Sequence, residues 1–154
     1  PQMRLKKLID IPPVWLLLAV LVTWQIGVMR PFGLSLDFPV VQLLSGVLIG
    51  GGIILMLLAV MEMRKRRTTI VPHREAESLV TSGIFKRTRN PIYLGDALVL
   101  AGLALRWDAV LALVLVPVFV WVIEKRFIIP EENMLRRKFR ADFARYEQKT
   151  RRWV

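Results

Sequence analysis

Cysteine is absent from this 154-residue chain, and histidine occurs once, as His73. Without cysteine the chain can form no disulfide, no thiolate metal site and no cysteine nucleophile. A single imidazole also argues against a zinc or iron site built on histidine ligands. We therefore expect no metal cofactor.

Acidic residues are scarce as well, with 12 Asp and Glu against 23 Lys and Arg and a net charge of +11. In a soluble protein such an excess would point to nucleic acid. Here no surface of interleaved basic and aromatic residues is apparent, and the charges lie between long apolar blocks. Basic residues that flank apolar spans fix the orientation of a membrane protein and meet anionic headgroups. We expect the lipid bilayer as the partner, and no nucleic acid.

The apolar residues make up 55% of the chain and are concentrated in blocks, with a mean hydropathy of +0.47. Two blocks, 11–29 and 40–63, are long enough to cross a bilayer core of about 30 Å. Two more, 91–105 and 109–129, are separated by only three residues, which predicts a helical hairpin with a kink at Pro117. The sequence predicts an all-α integral membrane protein with about four transmembrane helices.

Beyond Pro130 the pattern becomes amphipathic, because Leu135, Phe139, Phe143 and Tyr146 recur at helical spacing among basic residues. This pattern predicts a C-terminal basic helix that lies at the membrane interface or against the bundle. We expect residues 1–154 to form one membrane domain, in which 11–63 are the first two spans and 64–154 carry a loop, the hairpin and this helix. The distribution of Lys and Arg places both termini in the cytoplasm, as in a multi-pass protein of a prokaryotic inner (plasma) membrane.

Three polar clusters lie on the predicted cytoplasmic side. The first, 79–85, contains Gly83, which could allow a turn or a close backbone approach. The second, 89–96, begins a helix with Asn90 as a candidate N-cap, and it places Tyr93 and Asp96 on one face. The third is the pair at 131–132, which either favours a helix dipole or serves a function.

In this order the clusters resemble those of the isoprenylcysteine carboxyl methyltransferases and phospholipid methyltransferases. The motifs are Leu-Val-Thr-x-Gly-x-Phe, Arg-Asn-Pro-x-Tyr-x-Gly, Glu-Glu-x-x-Leu and a terminal Arg-Arg-Trp, over roughly residues 68–154. The resemblance implies a membrane methyltransferase that uses S-adenosylmethionine at the cytoplasmic interface. Its acceptor would be lipid-like or amphipathic.

The resemblance also implies a set of site residues. Glu132, Arg89 and Tyr93 would be catalytic, with a carboxylate suited to the cofactor's ammonium and an arginine suited to its carboxylate. Two arginines close to the Glu pair in sequence, Arg126 and Arg137, are expected to orient an anionic acceptor. The residues expected to contact the cofactor are His73, Leu79, Val80, Gly83, Phe85, Arg89, Asn90, Pro91, Tyr93, Gly95, Glu131 and Glu132.

Two departures from the family pattern concern the acceptor. The enzymes that act on farnesylated cysteine typically have His at the position of Asn90, and the family often shows Phe-Gly-x-x-Tyr where this chain has Phe139-Arg140-Ala141-Asp142-Phe143. These changes leave the methyltransferase interpretation standing but weaken the case for a prenylated cysteine.

Two alternatives remain at this stage. Sterol reductases that use NADPH resemble the chain at Tyr93-x-Gly95-Asp96, although they are much longer. A small membrane scaffold with no enzymatic activity is the other alternative. It predicts that Tyr93→Phe and Glu132→Gln would alter nothing beyond stability.

Overall fold

The computed structural model of the protein describes residues 9–66 and 78–154. These residues contain helices and no strand, as the sequence predicts. The α-helices are α1 (Pro12–Met29), α2 (Pro39–Lys65), α3 (Pro91–Arg106), α4 (Leu115–Ile123), α5 (Ile129–Phe139) and α6 (Ala141–Lys149).

Two of these helices, α1 and α2, are long and apolar enough to cross a membrane. They begin and end within two residues of the predicted apolar blocks, and each begins with a proline in its first turn. Helix α3, with 16 residues, coincides with the third predicted block. By length and composition, two of the four crossings predicted from the sequence are candidate membrane spans, and the other two are not confirmed.

Glycines let α2 and α3 run antiparallel in close contact. A Cβ atom on Gly95 would lie 2.6 Å from the Gly52 carbonyl oxygen, and one on Gly102 would lie 2.6 Å from the Ile49 side chain. The Ser45 hydroxyl donates to the Gly102 carbonyl at 2.8 Å in the same contact. Of the four glycines of α2, Gly52 thus allows the close approach of the two helices. The other three, Gly46, Gly50 and Gly51, face open space.

The core lies where α1 crosses the α3–α4 hairpin. Its buried centre includes Leu100 of α3 and Phe119 and Ile123 of α4. The face of α1 that packs against it consists of Trp15, Leu16, Ala19 and Val20. This packing brings the start of α1, the end of α2 and the start of α3 together at one end of the bundle. We call this end of the bundle the site end.

The fourth predicted block, 109–129, is not a regular helix. A 3₁₀ segment (Val110–Val114) ends just before Pro117, and a π-helical turn (Glu124–Ile128) joins α4 directly to α5. Glu131 and Glu132 consequently lie inside a continuous helical stretch rather than at a free N-terminus. A helix dipole does not account for them, because no unpaired backbone N–H groups precede them.

The predicted C-terminal amphipathic helix is broken into two. Arg140 adopts a positive φ of 44° between α5 and α6, which bends the chain back on itself. Phe143 and Tyr146 of α6 are then buried, and the Tyr146 hydroxyl donates to the Phe85 carbonyl at 2.6 Å. Rather than lying free at an interface, α6 packs against the segment that precedes α3.

At the opposite end of the bundle, Asp108 joins two loops. Its carboxylate accepts a hydrogen bond from the Ser35 hydroxyl and one from the Leu36 backbone N–H at 2.7 Å, and Arg30 lies 3.7 Å away. Asp108 itself adopts a φ of 53°. The α1–α2 loop is thereby fastened to the turn between α3 and α4.

Candidate active site

The C-terminal tail, residues 150–153, lies against the segment that begins α3. The Arg89 backbone N–H donates to the Arg151 carbonyl at 3.0 Å. The Asn90 side-chain amide donates to the Arg152 carbonyl at 2.9 Å. Asn90 occupies the N-cap position but makes no side-chain cap hydrogen bond, so its predicted capping role is wrong. Its side chain holds the tail instead.

Arg89 is largely buried at the centre of this contact. Its Nη1 donates to the Thr150 carbonyl at 2.7 Å, and its Nη2 lies 3.5 Å from the Glu132 carboxylate. Its Nε is buried without a hydrogen-bond partner among the described residues. An unsatisfied buried donor is costly, so folding alone does not account for this N–H.

Glu132, at 4% exposure, is saturated by arginine. Arg152 donates from Nε and Nη2 to its two carboxylate oxygens at 3.1 and 2.7 Å, a bidentate pair. Arg89 and Arg136 also lie 3.5 and 3.9 Å from this carboxylate, so Glu132 is buried among three arginines and is a poor partner for a ligand ammonium. Its position makes it the anchor that holds the tail and Arg89 in place.

The π-helical turn brings a second carboxylate to the same arginine. Glu124 accepts hydrogen bonds from Arg152 Nη1 at 3.1 Å and from the Trp153 indole N–H at 3.2 Å. In a regular α-helix, Glu124 and Glu132 would point roughly 80° apart. One extra residue in the π-turn reduces this to roughly 20° and lets both face Arg152.

Glu131 differs from its neighbour, because it is exposed and has a single hydrogen bond among the described residues. The Tyr93 hydroxyl donates to its carboxylate at 3.4 Å, a long contact. Although water reaches this carboxylate, desolvation by the surrounding protein raises the pKa of Glu131 to about 7. The hydrogen bond from Tyr93 opposes the rise in pKa and the charge of Glu132 adds to it. An under-satisfied carboxylate of this kind suits a cationic ligand.

The predicted residues of the 79–85 cluster are near the site but are used for packing. Gly83 has a φ of 60°, and a Cβ there would lie 2.8 Å from a carboxylate oxygen of Glu62 in α2. Val80 is buried, Leu79 is half-buried, and the Phe85 carbonyl accepts the hydrogen bond from α6. Gly95 faces α2, where its small size serves the helix contact.

Pro91 occupies the first helical turn of α3, as predicted, and is buried. His73 lies outside the described residues. Arg126 is held by Asp10, to which its Nε donates at 3.2 Å, and it stacks 5.2 Å from the Trp15 ring centroid. Arg137 is exposed on α5. The structure therefore brings together Arg89, Asn90, Tyr93, Glu131 and Glu132, with Arg126 held apart by its own partners.

Three residues of the ionic cluster were not singled out as site residues from the sequence: Glu124, Arg152 and Trp153. Glu124 is an acidic residue near the end of the apolar block 109–129, beside Lys125 and Arg126, and an acidic residue there is by itself a functional signal. Arg152 and Trp153 belong to the terminal Arg-Arg-Trp motif. What the sequence could not provide was the fold that carries this tail back to α3.

Comparison with known families gives one match. The sequence model of the phospholipid methyltransferase family matches residues 40–142, which include α2 to α5 and all of the site except the tail. No curated protein and no solved structure matches the chain significantly.

Proposed function

The chain belongs to the phospholipid methyltransferase family, and we propose that it is a membrane-embedded methyltransferase that uses S-adenosylmethionine. Its acceptor is a lipid-like or amphipathic molecule at the membrane surface next to the site end. The family match does not favour the sterol-reductase or scaffold alternatives.

The observation that carries this proposal is the contrast between the two adjacent glutamates. Glu132 is fully paired, whereas Glu131 accepts one long hydrogen bond and remains open to solvent. S-adenosylmethionine carries an ammonium and a sulfonium, and an open carboxylate beside a tyrosine hydroxyl suits either cation. Glu131, rather than Glu132, is thus assigned to the cofactor.

The negative end of the cofactor requires a cation within the same site. Arg89 is fixed by Thr150 and Glu132, and its buried Nε–H lacks an acceptor among the described residues. A guanidinium held in this way is preorganised to receive the cofactor's carboxylate. The donor set therefore fits the group that the family uses.

When bound, S-adenosylmethionine supplies an electrophilic methyl group on a positively charged sulfur. The chain's own contribution is to position the reactants and to keep water away, since effective concentration supplies much of the acceleration in such a transfer. The docked tail provides a rigid wall for this purpose. Trp153 and Tyr93 both pack on the buried core, and the indole N–H of Trp153 donates to Glu124.

The acceptor is proposed to reach the site from the bilayer. Helices α1 and α2 expose apolar side chains along most of their length, as surfaces in contact with lipid do. Exposed Arg137 is in a position to contact an anionic group of the acceptor, whereas Arg126 is already paired with Asp10. We propose that the α3–α4 hairpin also enters the membrane and that both termini face the cytoplasm of a prokaryotic cell.

Calorimetric titration of the protein in lipid nanodiscs with S-adenosylhomocysteine tests the cofactor assignment. We expect saturable binding. The affinity should be about 10-fold lower in Glu131→Gln, because the substitution removes one charge-assisted contact. Because the pKa of Glu131 is raised to about 7, its carboxylate ionises as the pH rises, and affinity should increase between pH 6 and pH 8 in the wild type but not in Glu131→Gln. Asp142→Asn, at an exposed carboxylate of α6, is the control and should bind normally.

The same titration with NADPH provides the opposing outcome. Binding of NADPH in place of S-adenosylhomocysteine, or binding of neither by folded protein, would overturn the proposal. Equal affinity of wild type and Glu131→Gln would remove Glu131 from the cofactor site and leave the activity itself open to test.

A further inference from the structure

Asp96 is a buried carboxyl group with no assigned role. It lies in the second turn of α3 and is 6% exposed, among apolar neighbours. In the described part of the chain no hydrogen-bond donor or cation contacts it. Its oxygens are nevertheless not completely enclosed, because they are absent from the fully occluded polar atoms that lack a partner.

The other buried carboxyls among the described residues, Asp108 and Glu132, have partners. Asp108 has a hydroxyl and a backbone N–H, and Glu132 has three arginines. A buried carboxyl without donors gains no stabilising partner and costs free energy to desolvate. In the apolar part of a membrane protein such a group is a candidate for chemistry rather than for folding.

Its position connects Asp96 with the site. Asp96 lies three positions after Tyr93 in the sequence, so both residues are on one face of α3. The two side chains are close enough to interact electrostatically. Tyr93 in turn reaches Glu131 at 3.4 Å. Asp96 thus lies about one helical turn deeper than the cofactor contacts, on the side toward the apolar core.

We propose that Asp96 accepts the proton that the methyl acceptor must lose. This inference rests on the proposed function and specifies the acceptor as a group that carries N–H or O–H, rather than a carboxylate. The acceptor X–H gives its proton to the Asp96 carboxylate, and its lone pair forms the X–CH₃ bond. The bond between sulfur and methyl breaks at the same time. Its electron pair stays on sulfur, which becomes a neutral thioether.

Two single-chain probes test the assignment in nanodiscs, dodecylamine and dodecanoate. With S-adenosylmethionine present, we expect methylation of dodecylamine that falls at least 100-fold in Asp96→Asn and is partly restored in Asp96→Glu. Binding of S-adenosylhomocysteine and the melting temperature should be unchanged or higher in Asp96→Asn. Asp37→Asn, in the exposed α1–α2 loop, is the matched control and should behave as wild type.

Methylation of dodecanoate alone, or equal rates on dodecylamine in wild type and Asp96→Asn, would overturn the assignment. If neither probe is methylated, dodecylamine binding in the presence of S-adenosylhomocysteine decides. Dodecylamine binding that is at least 10-fold weaker in Asp96→Asn than in wild type supports the assignment of Asp96. Equal binding by the two proteins, or binding too weak to detect, overturns this assignment. A wild-type protein that binds no S-adenosylhomocysteine would refute the proposed function, which is a separate and recognisable result.

Discussion

The two ends of the helical bundle use buried acidic groups in different ways. At the opposite end a single carboxylate, Asp108, is satisfied by donors from one neighbouring loop. At the site end two carboxylates, Glu124 and Glu132, are paired with arginine and tryptophan. In the described part of the chain the site end also contains Asp96, a buried carboxyl without a partner, and Glu131, an exposed carboxylate with one long hydrogen bond.

This difference separates architecture from chemistry. A satisfied buried carboxylate holds chain segments together, and its loss should reduce stability without being specific to a ligand. An unsatisfied one adds little to folding and remains available to a ligand or a proton. The presence of both kinds within one turn of α5 gives Glu131 and Glu132 opposite expected phenotypes although they are neighbours.

The largest effect is expected for Glu132→Gln. The substitution removes the carboxylate that pairs with largely buried Arg89 and with half-buried Arg152, which keeps Glu124 as a partner, so we expect a loss of about 3 kcal/mol in the free energy of unfolding. Thermal unfolding in detergent measures this loss, with Glu131→Gln as the adjacent control. Similar melting temperatures for the two variants would remove the distinction between anchor and ligand-binding carboxylate.

A smaller effect is expected at the opposite end, for Asp108→Ala. The change removes the acceptor for the Ser35 hydroxyl and the Leu36 N–H, at a cost of about 2 kcal/mol. Because this end lacks any site residue, affinity for S-adenosylhomocysteine should stay within twofold of wild type. Asp37→Ala in the same loop is exposed and should change neither quantity. A marked loss of affinity in folded Asp108→Ala would contradict the separation of the two ends.

The smallest effect concerns positive φ outside glycine, for which we compare Asp108 at the opposite end with Arg140 between α5 and α6; Arg30 and Phe32 also have positive φ. Asp tolerates the φ of 53° at Asp108 better than Arg tolerates the φ of 44° at Arg140. Arg140→Gly should therefore stabilise the protein by about 1 kcal/mol, because glycine adopts positive φ without strain. Arg145→Gly inside α6 should cost about 1 kcal/mol instead, by helix propensity. Equal destabilisation of both variants would show that no strain is relieved at position 140.

Several parts of the fold could be predicted from local patterns. The apolar blocks predicted the ends of α1, α2 and α3 to within a few residues. This was possible because the period and length of an apolar run depend on nearby residues alone. The 3₁₀ segment at 110–114, the π-helical turn at 124–128 and the break at Arg140 were missed. These irregularities result from tertiary packing. Contacts that change the direction of a side chain or of the C-terminal tail override the local helical pattern.

Part of the site could also be predicted. The family motifs brought Arg89, Asn90, Tyr93 and the Glu pair into one site, and the structure places them together. The roles within the pair were not readable, since adjacent glutamates have the same chemistry until their surroundings differ. The Asn90 side chain, expected to cap α3, was engaged by a tail more than 60 residues away in sequence.

By itself the sequence determined the class of this protein. The chain is helical, has apolar segments long enough to cross a membrane, lacks cysteine and belongs to a methyltransferase family. These properties follow from composition, periodicity and motif order, which folding does not change. Only the tertiary structure decided which carboxyls are paired and which are open. Hydrogen-bond satisfaction depends on donors brought from distant segments, such as Arg152 to Glu132 and Ser35 to Asp108, and no local pattern encodes that arrangement.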